Sequence, residues 1–244
     1  TFLHDEAGWT SARVRLMVDP TQDSDPGTCQ NLDYVKQLGR RIKEAGMQFL
    51  LDIFYSDTWT DPAQQWIPQS WNMDNATATN VLADKVREYT IESINALVEA
   101  GASPEYVQIG NEVSYGMLWD NLSAKDESRH VVYLDPKWFT YEKQEAQIVR
   151  LASLLGAAAE GVRASDAKDA RIILHIERSG EPELARNFYK WVGKAGFTDY
   201  DIIGLSYYPF WHGDLSTLSS TVRTLRTAMP GKEIHLVETA YNYQ

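Results

Sequence analysis

The chain has 244 residues, 43% hydrophobic and 23% charged, a balance ordinary for a soluble globular protein that excludes low-complexity, collagen-like and disordered architectures. A formal net charge of -11 would repel phosphate backbones, which excludes nucleic acid as an expected partner. No apolar run reaches the length of about eighteen residues that a membrane span needs, and the single cysteine, Cys29, permits no intrachain disulfide.

Along the chain, Thr1 to Gly8 lacks the apolar stretch of a signal peptide and reads as the end of a helix, so the chain is expected to begin inside a longer protein. Strands are then predicted over Ala12 to Val18, Met47 to Phe54, Tyr106 to Gly110, Arg171 to Ile176, Ile202 to Tyr207 and Glu233 to Val237. Each is almost continuously apolar, as expected for strands covered on both faces. Between them, helices are predicted over Leu32 to Ala45, Val81 to Ala100, Gln144 to Arg163, Glu181 to Ala195 and Leu215 to Ala228, with Gly46, Gly101 and Gly196 standing where C-cap glycines belong. Two connections are too long for ordinary loops, Ser56 to Asn80 and Val113 to Lys143, and both follow the carboxyl end of a strand.

The strict βα alternation predicts an α/β fold, a TIM (β/α)8 barrel truncated to strands 2 to 7 because a closed barrel needs two more strands. Residues 1–244 are expected to form a single barrel domain lacking its first and last strands, with no linker or sequence repeat. The carboxyl ends of the strands are the face on which such barrels build their sites.

Two carboxylates stand at that address. Tyr106-Val-Gln-Ile-Gly-Asn-Glu112 ends an apolar strand in Asn111 and Glu112, and His235-Leu-Val-Glu238 repeats the pattern three βα units later. Either motif alone could be a helix cap satisfying free amides. Together, at the ends of the fourth and seventh barrel strands, they predict side chains facing each other across the mouth. A facing pair is what glycoside hydrolysis needs, one carboxyl protonating the leaving oxygen and the other attacking the sugar or activating water. A separation of about 5 Å implies retention and roughly 6.5 to 9.5 Å implies inversion, a choice spacing in sequence leaves open.

Five stretches narrow the choice. They are Arg13-Val-Arg15-Leu-Met-Val-Asp-Pro20, Leu51-Asp-Ile-Phe-Tyr-Ser-Asp-Thr-Trp59-Thr-Asp-Pro62, Val107-Gln-Ile-Gly-Asn-Glu112, Gly204-Leu-Ser-Tyr-Tyr-Pro-Phe-Trp211 and Val237-Glu-Thr239. In that order the chain resembles the endo-β-1,4-galactanase family of clan-A retaining glycoside hydrolases. The resemblance implies Glu112 as general acid/base and Glu238 as nucleophile, acting on β-1,4-galactan or type I arabinogalactan. It also implies that the first and eighth strands lie outside this sequence, in agreement with strand counting. By position it further suggests Arg15 near the nucleophile, Asn111 on the sugar's 2-hydroxyl, Asp57 among the substrate contacts, and Tyr207 or Tyr208 bonded to the nucleophile. The family usually carries histidine where this chain has Phe54, and Glu177 stands where Asp or Asn is expected. The rival readings are another clan-A β-glycanase, such as a mannanase or glucanase, and a non-catalytic carbohydrate-binding barrel.

Trp59, Trp66, Trp71, Trp119 and Trp211 fall in or beside loops after strand ends, and Trp59, Trp119 and Trp211 are the expected sugar platforms, the others being expected to pack loops. His175 ends a strand and is either a substrate ligand or a buried, paired histidine. The acid requires a Glu112 pKa above the usual value of about 4.3, raised by burial and by Glu238. No metal or other cofactor is expected, since the five histidines show no ligand spacing. A polysaccharide substrate, a monomeric state and a secreted or cell-surface location complete the expectations, the last resting on the resemblance.

Overall fold

The computed structural model describes residues 2–20, 29–71, 77–122 and 130–241, so parts of both long loops lie outside the described residues. Six strands form one all-parallel sheet in sequential order: β1 (Ser11–Leu16), β2 (Gln48–Ile53), β3 (Tyr106–Ile109), β4 (Arg171–Ile176), β5 (Ile202–Tyr207) and β6 (Glu233–Thr239). Helices α1 (Leu32–Glu44), α2 (Thr79–Glu99), α3 (Glu145–Ala164) and α4 (Pro182–Lys194) join the first five strands; the one-turn α5 (Pro209–His212) and α6 (Leu215–Ala228) lead from β5 to β6. Every predicted strand and helix is present, with boundaries unchanged or moved by a few residues.

Local chemistry explains most of the ends. Asn31 caps α1 by accepting from the Tyr34 amide, and Asp214 caps α6 by accepting from the Thr217 amide. Pro182 opens α4, where a missing N–H costs nothing. The predicted β1 ran on to Val18, but the Met17 and Val18 amides instead donate to Gln30 O and Ser56 O, which pulls the chain out of the ladder. Conversely β6 continues to Thr239 through an irregularity: Leu205 faces Leu236 while Ser206 faces Glu238, so Val237 is the extra residue of a bulge. A bulge re-aims the residue that follows it.

The core fills the layer between sheet and helices, with Phe49, Leu51, Ile53, Val107, Ile109, Ile172, Leu174, Ile203 and Leu205 meeting Val35, Ile94, Leu154, Leu155 and Phe188. Because the sheet curves, β1 and β6 come within reach across its concave side: Arg13 Nη1 on β1 donates to Glu238 Oε2 on β6 at 3.2 Å. This is the six-stranded part of a (β/α)8 barrel. The two long loops knit together above the strand ends, where Ile67 N donates to Trp119 O at 2.9 Å and Trp119 N to Gln65 O at 2.6 Å.

Candidate active site

Three groups converge on the concave side. A carboxylate oxygen of Glu112, one of Glu238 and a ring nitrogen of His175 all lie within 4.8 Å of one another. Glu112 reaches this point from an unusual backbone: φ is 51° and ψ 50°, the left-handed region, two residues after Gly110 at φ 85°. A non-glycine residue there is strained, and such strain persists only where surrounding bonds over-determine it. Here the clamp is the buried Gln65, whose amide Nε2 donates to Asn111 O at 2.7 Å and to Glu112 O at 3.3 Å, while Asn111 Nδ2 donates to Thr60 O at 2.8 Å. The loop after β2 therefore fixes the turn that carries Glu112.

Glu112 is 9% exposed, and its Oε1 accepts from Ser206 Oγ at 2.5 Å. Burial first, then Glu177, Glu238 and Asp61, push its carboxyl up to about 8, while the Ser206 bond pulls the other way. It is therefore protonated near neutrality, as a general acid must be.

Glu238 is held differently. Tyr208 donates its hydroxyl to Oε1 at 2.6 Å, Arg13 donates to Oε2, and Arg15 Nη2 stands 4.0 Å from Oε1. Burial and the neighbouring carboxylate hold the Tyr208 hydroxyl above the ordinary phenol range, so it remains a donor. Arg13 also donates from Nη2 to Asn111 Oδ1 at 2.8 Å and from Nε to Gln108 Oε1 at 3.2 Å, and its Nη2 lies 2.7 Å from Oδ2 of the fully buried Asp52. One guanidinium thus ties Glu238 and the Asn111–Glu112 turn to the barrel floor, a task suited to its rigid fork of donors.

The predicted residues separate into those at the centre and those beside it. Asn111, Glu112, His175, Tyr208 and Glu238 meet there. Asn111 Nδ2 retains one hydrogen beyond that given to Thr60 O, available to a substrate hydroxyl. Of the two tyrosines, Tyr208 bonds Glu238, whereas Tyr207 sends its hydroxyl to Gly213 O at 3.0 Å. Arg15 lies over the face of Trp59 at 4.5 Å, and Phe54, 2% exposed, sets its edge against the same indole with centroids 5.7 Å apart. Asp57 accepts from the amides of Asp19 at 2.9 Å and Gln69 at 2.7 Å, a loop tie away from the carboxylate pair. Trp211 is 76% exposed, but Trp119 is only 6% exposed and packs edge-on against Trp66 in the junction between the loops. Trp71 is buried against Tyr89. Glu177 is buried, accepting from Ser114 Oγ at 2.6 Å and pairing with Arg178 Nε at 2.8 Å.

Arg13, Gln108, Ser206 and Asp52 were missed as site residues. Strand alternation was the available signal: Arg13 shares a face with Arg15, and Ser206 with Tyr208. His175 is close enough to the carboxylates to complete a cation site. Its ring nitrogens, however, face Ser206 Oγ at 2.8 Å on one side and Gln108 and Asn111 at 3.0 Å on the other, which makes it a poor ligand.

Comparison with known proteins places the chain in a family. The profile described as Glycosyl hydrolase family 53 matches residues 1–244. An uncharacterized protein in the bgaB 5'region of Niallia circulans is 37% identical over 229 residues, covering 94% of this chain and 56% of its own length. The arabinogalactan endo-beta-1,4-galactanase of Humicola insolens is 33% identical over 240 residues, covering 96% of this chain and 63% of its own. Among solved structures, one from a study of two fungal beta-1,4-galactanases superposes with a TM-score of 0.77 at 29% identity, covering 96% of this chain and 66% of that one. The chain thus spans less than two thirds of the length of these relatives. The profile over the whole chain and the relatives agree: the chain belongs to glycosyl hydrolase family 53.

Proposed function

We propose that this chain carries the catalytic centre of an endo-β-1,4-galactanase that hydrolyses galactan or type I arabinogalactan with retention of configuration. One observation carries the reading: Glu112 and Glu238 approach within 4.8 Å, close to the spacing of about 5 to 5.5 Å of retaining pairs and well short of the roughly 6.5 to 9.5 Å of inverting ones. In the first step Glu238 attacks the anomeric carbon while Glu112 protonates the departing oxygen. Forming the glycosyl ester removes the charge of Glu238, one of the influences that hold the Glu112 carboxyl up, so Glu112 gives up its proton more readily and then serves as base toward water. Arg13 and Tyr208 orient the attacking carboxylate. Asn111 addresses the 2-hydroxyl, Trp59 and Trp211 supply stacking faces, and Arg15, Asp57, Trp119, His175 and Tyr207 support the walls around them.

The names of the relatives favour galactan over mannan or glucan. These 244 residues act as one catalytic barrel unit, a monomer whose polymeric substrate requires a secreted or cell-surface location. Among the described residues no helix is long and apolar enough to cross a membrane. Reducing-end release from galactan, mannan and cellulose tests the reading, with proton NMR of the first product reporting its anomeric form. Turnover of galactan to the β-anomer, lost in Glu238→Gln, is expected; hydrolysis confined to mannan, or initial release of the α-anomer, would overturn it.

A further inference from the structure

Glu112 is bonded through its main chain to His175 and through its side chain to Ser206, and these two neighbours are bonded to each other. Its backbone N–H points at His175 Nδ1 at 3.4 Å, and Gln108 Nε2 lies 3.0 Å from that nitrogen. Two donors facing Nδ1 favour the tautomer with hydrogen on Nε2, which donates to Ser206 Oγ at 2.8 Å. The Ser206 hydroxyl has one hydrogen of its own, and it donates this to Glu112 Oε1 at 2.5 Å. The other tautomer would gain Asn111 Oδ1 at 3.0 Å, an oxygen that already accepts from Arg13, and would turn a hydrogen toward the two donors. Burial keeps the His175 imidazole well below its ordinary range and hence neutral, so the ring carries one hydrogen.

The result is a closed cycle, Glu112 N–H to His175, His175 to Ser206, and Ser206 back to the Glu112 carboxyl. A carboxyl oxygen that accepts a hydroxyl hydrogen is the poorer seat for the acid proton, and among the described residues Oε2 receives no protein donor. Resting on the reading of Glu112 as acid/base, we infer that Ser206, oriented by His175, is a positioning residue that keeps the acid proton on Oε2, facing the leaving group. In the first step the Oε2–H proton passes to the glycosidic oxygen as its bond to the anomeric carbon breaks and Glu238 bonds that carbon. Ser206 continues to donate to the carboxylate that remains, and in the second step Oε2 takes a proton from the attacking water as the glycosyl ester breaks. The charged groups facing Glu112 are Glu177 after β4, Asp61 in the loop after β2 and Glu238 on β6; all three oppose its ionisation, and the Ser206 bond favours it.

The test uses the full chain carrying Ser206→Ala or Ser206→Cys, the latter retaining a weak donor should the cavity of the first prevent folding. Three quantities are read: the midpoint of the Glu112 carboxyl by isotope-edited NMR, the alkaline limb of kcat on galactan, and kcat/KM, which reports the first step alone, for a dinitrophenyl β-1,4-galactobioside, whose leaving group needs no proton. In Ser206→Ala both the midpoint and the alkaline limb are expected to rise by about one unit, the scale of a lost hydrogen bond to a charged group. Galactan turnover should fall about tenfold or more while cleavage of the aryl glycoside is retained, with Ser206→Cys in between. An unchanged midpoint, or an equal loss on both substrates, would overturn the inference. A wild-type chain inactive on both substrates would instead count against the galactanase reading, and the NMR midpoint would still decide the role of Ser206.

Discussion

Replacing Glu112 by Gln should change not only activity but the way stability depends on pH. In the folded chain the Glu112 carboxyl is pushed up to about 8, chiefly by burial. In the unfolded chain it titrates near about 4.3. Between those values the folded protein holds a proton that the unfolded chain releases. Because the folded value is the raised one, the stabilisation is fully present below about 4.3 and is lost as pH climbs through about 8. Each unit is worth about 1.4 kcal/mol, so across roughly three to four units the wild type should lose on the order of 4 kcal/mol relative to Glu112→Gln, whose amide does not titrate. Contributions from Glu177 and Asp52, buried in both proteins, largely cancel in the difference. Urea denaturation of the pair at pH 5, 6.5 and 8 measures it. A difference in unfolding free energy that stays constant over that range would show that Glu112 carries no raised pKa, and the acid assignment would lose its electrostatic basis.

Arg13→Met strips the cation from Asp52, which has no exposed surface, and is expected to destabilise the fold by about 3 to 5 kcal/mol; a loss below 1 kcal/mol in thermal or urea unfolding would mean that Asp52 is satisfied by other partners. Tyr208→Phe removes the hydroxyl that bonds Glu238 Oε1 from a side chain that is only partly buried, so kcat should fall by about 10- to 100-fold with little change in melting temperature, and an unaltered kcat contradicts its orienting role. Trp211→Ala should leave stability within about 0.5 kcal/mol because the ring is 76% exposed, yet raise KM for galactan several-fold; equal KM values remove Trp211 from the substrate path.

Much of this arrangement was legible in the sequence because buried parallel strands write themselves as unbroken apolar runs. Ile202 to Tyr207, with no exposed position, was located to the residue, and α6 likewise, since Asp214 and the pattern after it mark a helix start. The carboxylate pair was legible from position alone, each at the end of such a strand. The deeper role of Arg13 was not, because both arginines point into the barrel and only depth separates them: Arg15 lies over Trp59 and comes to 4.0 Å from Glu238, whereas Arg13 also reaches Asp52 and Asn111. The assignment of Tyr208 over Tyr207 followed strand parity, which could have been applied beforehand, and the same parity points to Ser206. The bulge at Val237 and the clamp by Gln65 depend on contacts between segments remote in sequence, and no local pattern announces them.

The left-handed backbone at Glu112 places the protein's folding preference and its chemistry in opposition. Glycine would occupy that position without steric penalty, relieving about 1 to 2 kcal/mol, and would take the acid away with it. On the acid role proposed for Glu112, the substitution that eases the backbone is thus the one that yields an inert barrel.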